Sequence, residues 1–252
     1  MIRNGLIMPK VFAAIAMRPA LLSLTAALLL VVSAGPGRAF SDAELADAFE
    51  RTVFGSEYPS WGWQSRLVKK FTETVRFYVD DRSAARRGGE VLAFVRSLPG
   101  LIDGLRVAVA AGPEAANFRV FVVDRADYNS VVTSDVYGRP SSSFAPGKCL
   151  VRVVSSMSGI SRADAVVVAD EGEFLFRRCM TEEVLQGLGP VNDDASLAAS
   201  MFNDNSRASA FTRLDRFILN MLYHPLVQPG MTKAEMSRVM PAVIRDVRAR
   251  LE

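Results

Sequence analysis

The feature that most constrains this chain is the stretch Cys179 to Asp194, CMTEEVLQGLGPVNDD. Thr181, Val184, Leu185 and Leu188 fall at i, i+3, i+4 and i+7, the stripe a helix buries. Gly189 stands where a left-handed C-terminal cap belongs, and Pro190 cannot extend the helix. The stretch also divides the chain. Residues on its N-terminal side read mainly as strands, and those on its C-terminal side read mainly as helices.

On the N-terminal side, Ser41-Asp42-Ala43-Glu44 is a capping box that opens a helix running to about Phe54. Gly55 to Trp63, with Pro59 and two tryptophans, reads as a loop. Thr74 to Val79 alternates as a strand and Asp80-Asp81 breaks it. Ala84 to Leu98 carries Val91, Leu92, Phe94, Val95 and Leu98 at helical spacing and stops at Pro99-Gly100. Leu105 to Ala110 and Phe118 to Val123 are the next two strands. Asp124 to Gly147, with Gly138-Arg139-Pro140 and three serines, reads as a long irregular loop. Cys149 to Ser155 and Ala163 to Ala169 resume strand character. After the key helix, Phe211 to Tyr223 turns Leu214, Phe217, Ile218 and Leu222 inward. The last helix, Thr232 to Leu251, has Thr232 as N-cap and buries Met236, Val239, Val243 and Val247. This order predicts an α+β fold with a mixed sheet. No linker divides residues 40–252, so they are expected to form one domain.

Charge separates the first 39 residues from the rest. Of 30 basic residues, Arg3, Lys10, Arg18 and Arg38 lie in 1–39, where no acidic residue stands. The remainder holds 26 basic against 27 acidic residues, a net charge of −1. Nucleic acid binding needs a standing positive field, and no nucleic acid partner is expected. Ala20 to Val32 is an apolar run too short to span a bilayer comfortably, followed by Gly35-Pro36-Gly37 and then Arg38-Ala39. It reads as an export signal cleaved after Ala39, with Met17 as an alternative start and an uncleaved anchor as the competing reading. A periplasmic or secreted protein with no membrane span in the mature chain is expected. Export favours joining the only two cysteines, Cys149 and Cys179, with two buried free thiols as the competing reading. Closing that loop of roughly 30 residues is worth about 3–4 kcal/mol by chain entropy.

The polar residues of the key helix suggest a chemistry and then withhold it. A zinc peptidase helix carries two imidazoles one turn apart, with a carboxylate beside the first as general base. In the metzincin type a glycine ends the helix and the chain returns with a third ligand. On that spacing Glu182 takes the first ligand position, Glu183 the base position, Gln186 the second ligand position and Asn192 the third. The chain has a single histidine, His224, so it cannot build a two-histidine site. One carboxylate and two amides suit calcium or magnesium better than zinc. The expectation is a vestigial cleft with no metal and no cofactor, its polar side chains bonded to one another and to water. Glu182 and Glu183 diverge by about 100° on a helix, which excludes a paired-carboxylate glycosidase. A serine or cysteine nucleophile would need His224 as base, and its place in Leu222-Tyr223-His224-Pro225-Leu226 favours a structural role. Asn192-Asp193-Asp194 and Asn203-Asp204-Asn205 are rich enough in oxygens for calcium, but they lack the glycine and terminal glutamate of an EF-hand loop, and Asx turns account for them more cheaply.

The chain resembles a family of bacterial exported domains of unknown function whose members often carry a lipoprotein label. The residues that carry the resemblance are Phe54-Gly55-Ser56-Glu57-Tyr58, Ala116-Asn117-Phe118 with Val120, and Cys149. They continue through Cys179 to Gly189, Asn192-Asp193, Phe202-Asn203-Asp204 and Leu214-Asp215, then Met221 to Pro225 and Pro229-Gly230-Met231. That family is itself similar to metzincins in the helix core, with Ser200-Met201 where a Met-turn would fall. The resemblance implies a zincin-like fold and an export route, and it implies no reaction. The functional expectation is a non-catalytic module that binds an envelope peptide or protein. The alternative is a metal-dependent hydrolase with unconventional ligands and Glu183 as base.

Overall fold

The computed structural model describes residues 39–55, 66–140, 145 and 147–252. Residues 1–38, where the export signal is expected, the stretch 56–65 with both tryptophans, and the serines at 141–143 lie outside the described residues. Residues 40–252 form one compact unit. It is built on a five-stranded mixed sheet: β1 (Val75–Asp81), β2 (Val107–Val109), β3 (Phe118–Val123), β4 (Leu150–Ser156) and β5 (Gly159–Val168), in the order β2-β1-β3-β5-β4. The first four neighbours in that order run parallel, and the edge strand β4 pairs antiparallel with β5.

The central strands are covered on both faces, so they read as nearly unbroken apolar runs. Phe118, Val120 and Val122 point one way with Ala163, Ala165 and Val167, into the larger core under the helices. Phe121, Val123, Val166 and Val168 point the other way, into a smaller core with Tyr128, Val131, Val132 and Val136. Over the larger face lie α1 (Asp42–Val53), α2 (Gly88–Ser97), α4 (Glu173–Gln186), α5 (Arg213–Leu222) and α6 (Lys233–Leu251). Three of them open with reciprocal capping boxes, at Ser41 with Glu44, Thr212 with Asp215, and Thr232 with Glu235.

The structure departs from the sequence expectations at several places; β2 is shorter than the expected strand over 105–110, and β5 begins at Gly159 rather than Ala163. β1 continues through Asp81, whose backbone pairs with Val122 while its carboxylate accepts from Gly88 N, at the start of α2. That capping moves the start of α2 from Ala84 to Gly88. The segment after β3 is not irregular: α3 (Arg125–Ser130) runs into a π-helical turn, Val131–Val136. Arginines on the sheet satisfy the orphan carbonyls at its end, Arg119 donating to Asp135 O and Arg152 to Val136 O. Finally, α4 stops at Gln186 rather than Gly189, and a tight turn covers Gly187 to Gly189.

Candidate functional site

Helix α4 is the axis of the molecule. Every residue from Thr181 to Val191 is buried, the polar ones included. The helix presses so close to the sheet that a Cβ on Gly187 would lie 2.3 Å from the Phe118 ring. Gly189 has φ +141°, and a Cβ there would lie 2.2 Å from the backbone oxygen of Lys69. The glycine is therefore required twice, by conformation and by contact. Tyr223 Oη closes the turn by donating to Leu188 O at 3.0 Å.

A cleft of about 270 Å³ opens between α4 and the first residues of β4. Lys148, Cys149, Leu150 and Val151 form one wall, and Arg178, Glu182, Glu183 and Gln186 form the other. Asp193 and Asp204 complete the lining. Cys149 and Cys179 are joined, with Cα atoms 5.7 Å apart, so the disulfide ties the two walls together.

Arg178 organises the polar interior. Its Nη2 donates to Glu182 Oε1 at 2.8 Å, and the pair is nearly buried, with side chains 9% and 6% exposed. The same guanidinium donates to Asn203 O, Ser206 O and Ala208 O at 3.0–3.3 Å, with Met201 O at 3.4 Å. It thereby fastens the segment 201–208 against α4. From the other side Asp215 holds that segment, accepting from Ser200 Oγ at 2.6 Å and from Met201 N at 3.1 Å, as well as from its own cap residue Thr212. Burial pushes the Asp215 carboxyl above the usual carboxylate range, while these donors favour its charged form.

The residues singled out by helix spacing meet only in part. Glu182, Glu183 and Gln186 all line the cleft. Asn192 is not among the lining residues: its Nδ2 donates to Arg51 O at 2.8 Å, and its side chain packs over Gly55. The next residue takes that place, because Asp193 Oδ1 accepts from Gln186 Nε2 at 2.8 Å. Glu182, Asp193 and Asp204 offer carboxylate oxygens that all lie within 4.8 Å of one another. Arg178, Asp193 and Asp204 were thus missed by the helix pattern. Arg178 carried a signal, standing four residues before Glu182, whereas nothing local reveals that Asp193 and Asp204 converge.

This donor set does not fit zinc. The oxygens are hard, no imidazole is among the lining residues, and a guanidinium already bonds the carboxylate at the first ligand position. His224, at the end of α5, accepts from Leu226 N through Nδ1 and lies 3.5 Å from Asp246 through Nε2, so both ring nitrogens are engaged locally. The Asx-turn reading holds at Asp194, which accepts from Ser196 N, and at Asn203, which accepts from Asn205 N.

Residues 42–242, well over half of the chain, match the family model described as a protein of unknown function, DUF2927. The chain belongs to the DUF2927 family. The match covers the sheet, α4 and every cleft-lining residue named above, so the cleft lies within the DUF2927 domain. No curated protein and no solved structure is detectably similar to the chain. Among the described residues, no helix is long and apolar enough to cross a membrane.

Proposed function

We propose that this DUF2927 protein is an exported, non-catalytic module of the cell envelope that binds a peptide or protein segment along the cleft between β4 and α4. In this reading the scaffold is zincin-like and has lost its zinc ligands, while Glu183 keeps the position of the old base. The observation that carries the proposal is the Arg178–Glu182 pair. A protein cation occupies the carboxylate where a catalytic metal would need an anionic or imidazole ligand, and it is locked there by backbone carbonyls. The cleft therefore keeps its shape without an ion.

Size and surroundings favour a polymer as occupant. About 270 Å³ is below the usual 300–1,000 Å³ of a small-molecule pocket and suits one side chain presented by a larger partner. One wall is the edge strand of the sheet, where an extended segment gains main-chain hydrogen bonds by strand addition. The apolar, acid-free segment before Phe40 and the joined cysteines support an oxidising, exported location.

The test is retention without turnover. Purified protein is incubated with a degenerate peptide library, and the bound fraction is sequenced by mass spectrometry. Intact peptides, retained equally with and without chelator, are expected. Cleaved peptides, with cleavage abolished in Glu183→Ala, would replace this reading by the hydrolase.

A further inference from the structure

β4 ends the sheet order and is paired only with β5 among the described strands. A segment added along it, as the peptide-binding reading on which this inference rests requires, turns alternate side chains to opposite faces of the sheet. One set faces α4 and the cleft. The other set faces the side that carries α3, where β4 buries Leu150 and then presents Arg152 and Val154.

On that face the carboxylates are spoken for and two arginines are not. Arg119, Asp164 and Arg152 are register partners across β3, β5 and β4. The central carboxylate is fully buried and accepts from Arg119 Nε at 2.6 Å and from Arg162 Nε at 2.8 Å. Asp80 and Asp135 are both taken by Arg82. Arg152 is left with a carbonyl, Val136 O, as its hydrogen-bond acceptor. Its guanidinium carbon lies 5.2 Å from the centre of the Tyr137 ring, and that of Arg139 lies 5.5 Å from the same ring. The ring thus gathers two cations at the outer side of the sheet edge, with Arg139 exposed and Arg152 half-buried. Among the described residues neither of the two bonds a carboxylate.

Neighbouring guanidiniums with spare donors suit a carboxylate, which they bind in forked, charge-assisted pairs. A residue opposite Arg152 on an added strand has its Cβ about 4.5–5.5 Å from that of the arginine, close enough for such a pair. Two positions away on the same face the added strand meets Val154, which is 37% exposed. The register shift between Val154 and Ser155 ends the regular edge there. We infer that the partner of β4 is an extended protein segment with an aspartate or glutamate opposite Arg152, gripped by Arg152 and Arg139, and an apolar residue two positions away opposite Val154. Binding is then steered by charge and weakened by salt, while the main-chain pairing is indifferent to sequence.

Pools of capped nine-residue peptides, random except for a fixed central residue, test this on the purified protein. The central residue is glutamate, aspartate, glutamine or lysine; glutamine keeps the shape of glutamate and removes its charge. The acidic pools are expected to bind about tenfold tighter than the glutamine pool, the gap narrowing with added salt, and the lysine pool to bind weakest. N-methylated backbones are expected to weaken every pool. Arg139→Gln, at an exposed side chain, is expected to shrink the gap, and so is Arg152→Gln, whose amide can still donate to Val136 O. Equal binding by all pools would overturn the acidic-residue inference and leave the cleft reading standing, whereas binding by none would overturn both. A preference for acid undiminished in Arg139→Gln and in Arg152→Gln places the carboxylate elsewhere and overturns the inference. So does binding to phosphatidylglycerol vesicles that displaces the acidic pools and is lost in Arg139→Gln, because the arginines would then belong to a membrane surface.

Discussion

At the scale of single residues the molecule depends on a few polar groups placed where apolar ones would be easier to bury. Arg178 and Glu182 lose their hydration together, and the arginine recovers it through a carboxylate and several carbonyls. Removing one partner of such a pair strands the other. Arg178→Met is expected to lower unfolding free energy by roughly 3–5 kcal/mol, read from urea denaturation. Glu183→Ala does not touch that pair and should leave the pair's contribution intact; equal losses in the two variants would show that Arg178 is not the organiser. Gly189 is the other sensitive position. Alanine there must adopt φ +141° and meet the Lys69 carbonyl oxygen, so a loss of about 3 kcal/mol or more is expected by the same measurement. A loss near the few tenths typical of surface glycines would mean the turn relaxes without cost.

At the scale of elements, legibility followed the range of the interactions. The N-termini of α1 and α6 were readable to the residue because Ser41 with Glu44 and Thr232 with Glu235 settle them within one turn. β3 was readable because its apolar run is bounded on both sides by polar residues, and Asn117, at its start, ties β1 to it by accepting from Arg76 N at 2.6 Å. The stretch after β3 was not. Tyr128, Val131, Val132 and Val136 do fall at helical spacing, but the groups that satisfy its end, Arg119 and Arg152, come from distant strands. The site divides in the same way. Local spacing found Glu182, Glu183 and Gln186, whereas the exchange of Asn192 for Asp193 depends on which side chain reaches Arg51 and which reaches Gln186. The Cys149–Cys179 link joins elements in this long-range class, holding β4 to α4. Replacing both cysteines by serine is expected to cost about 3–4 kcal/mol and to weaken peptide retention beyond the loss of folded protein. Reductant should reproduce both effects in the parent and do nothing to the variant. If peptide affinity is unchanged at temperatures where the variant is fully folded, the disulfide does not set the cleft.

At the scale of the whole molecule, stability is expected to have an unusual alkaline profile, because two neighbouring lysines are buried at the junction of several elements. Lys69 donates to Val53 O at the end of α1 and to Leu67 O, and Lys70 donates to Leu222 O and His224 O at the end of α5. Each ammonium thus caps a helix C-terminus, a favourable place for a cation. Burial nevertheless lowers both to about 8 from an ordinary 10.5. Between those values the unfolded chain holds more protons than the folded one, so unfolding free energy must rise with pH there. Below pH 8 both lysines are charged in either state and the desolvation cost is carried in full. As pH climbs from about 8 toward 10.5 the cost is relieved, up to about 3 kcal/mol for each lysine. Tyr223 then reverses the trend: burial raises its hydroxyl above the ordinary value of 10.0, so further alkali favours the unfolded chain. Urea titrations at half-unit intervals should therefore show stability climbing from pH 8, peaking near pH 10 and falling beyond. Lys70→Met, which removes one of the two titrating groups, should cut the climb by about half while leaving the fall in place. A profile that is flat or falling between pH 8 and 10 in the parent protein would show that the carbonyl cage around the two ammonium groups offsets their burial completely.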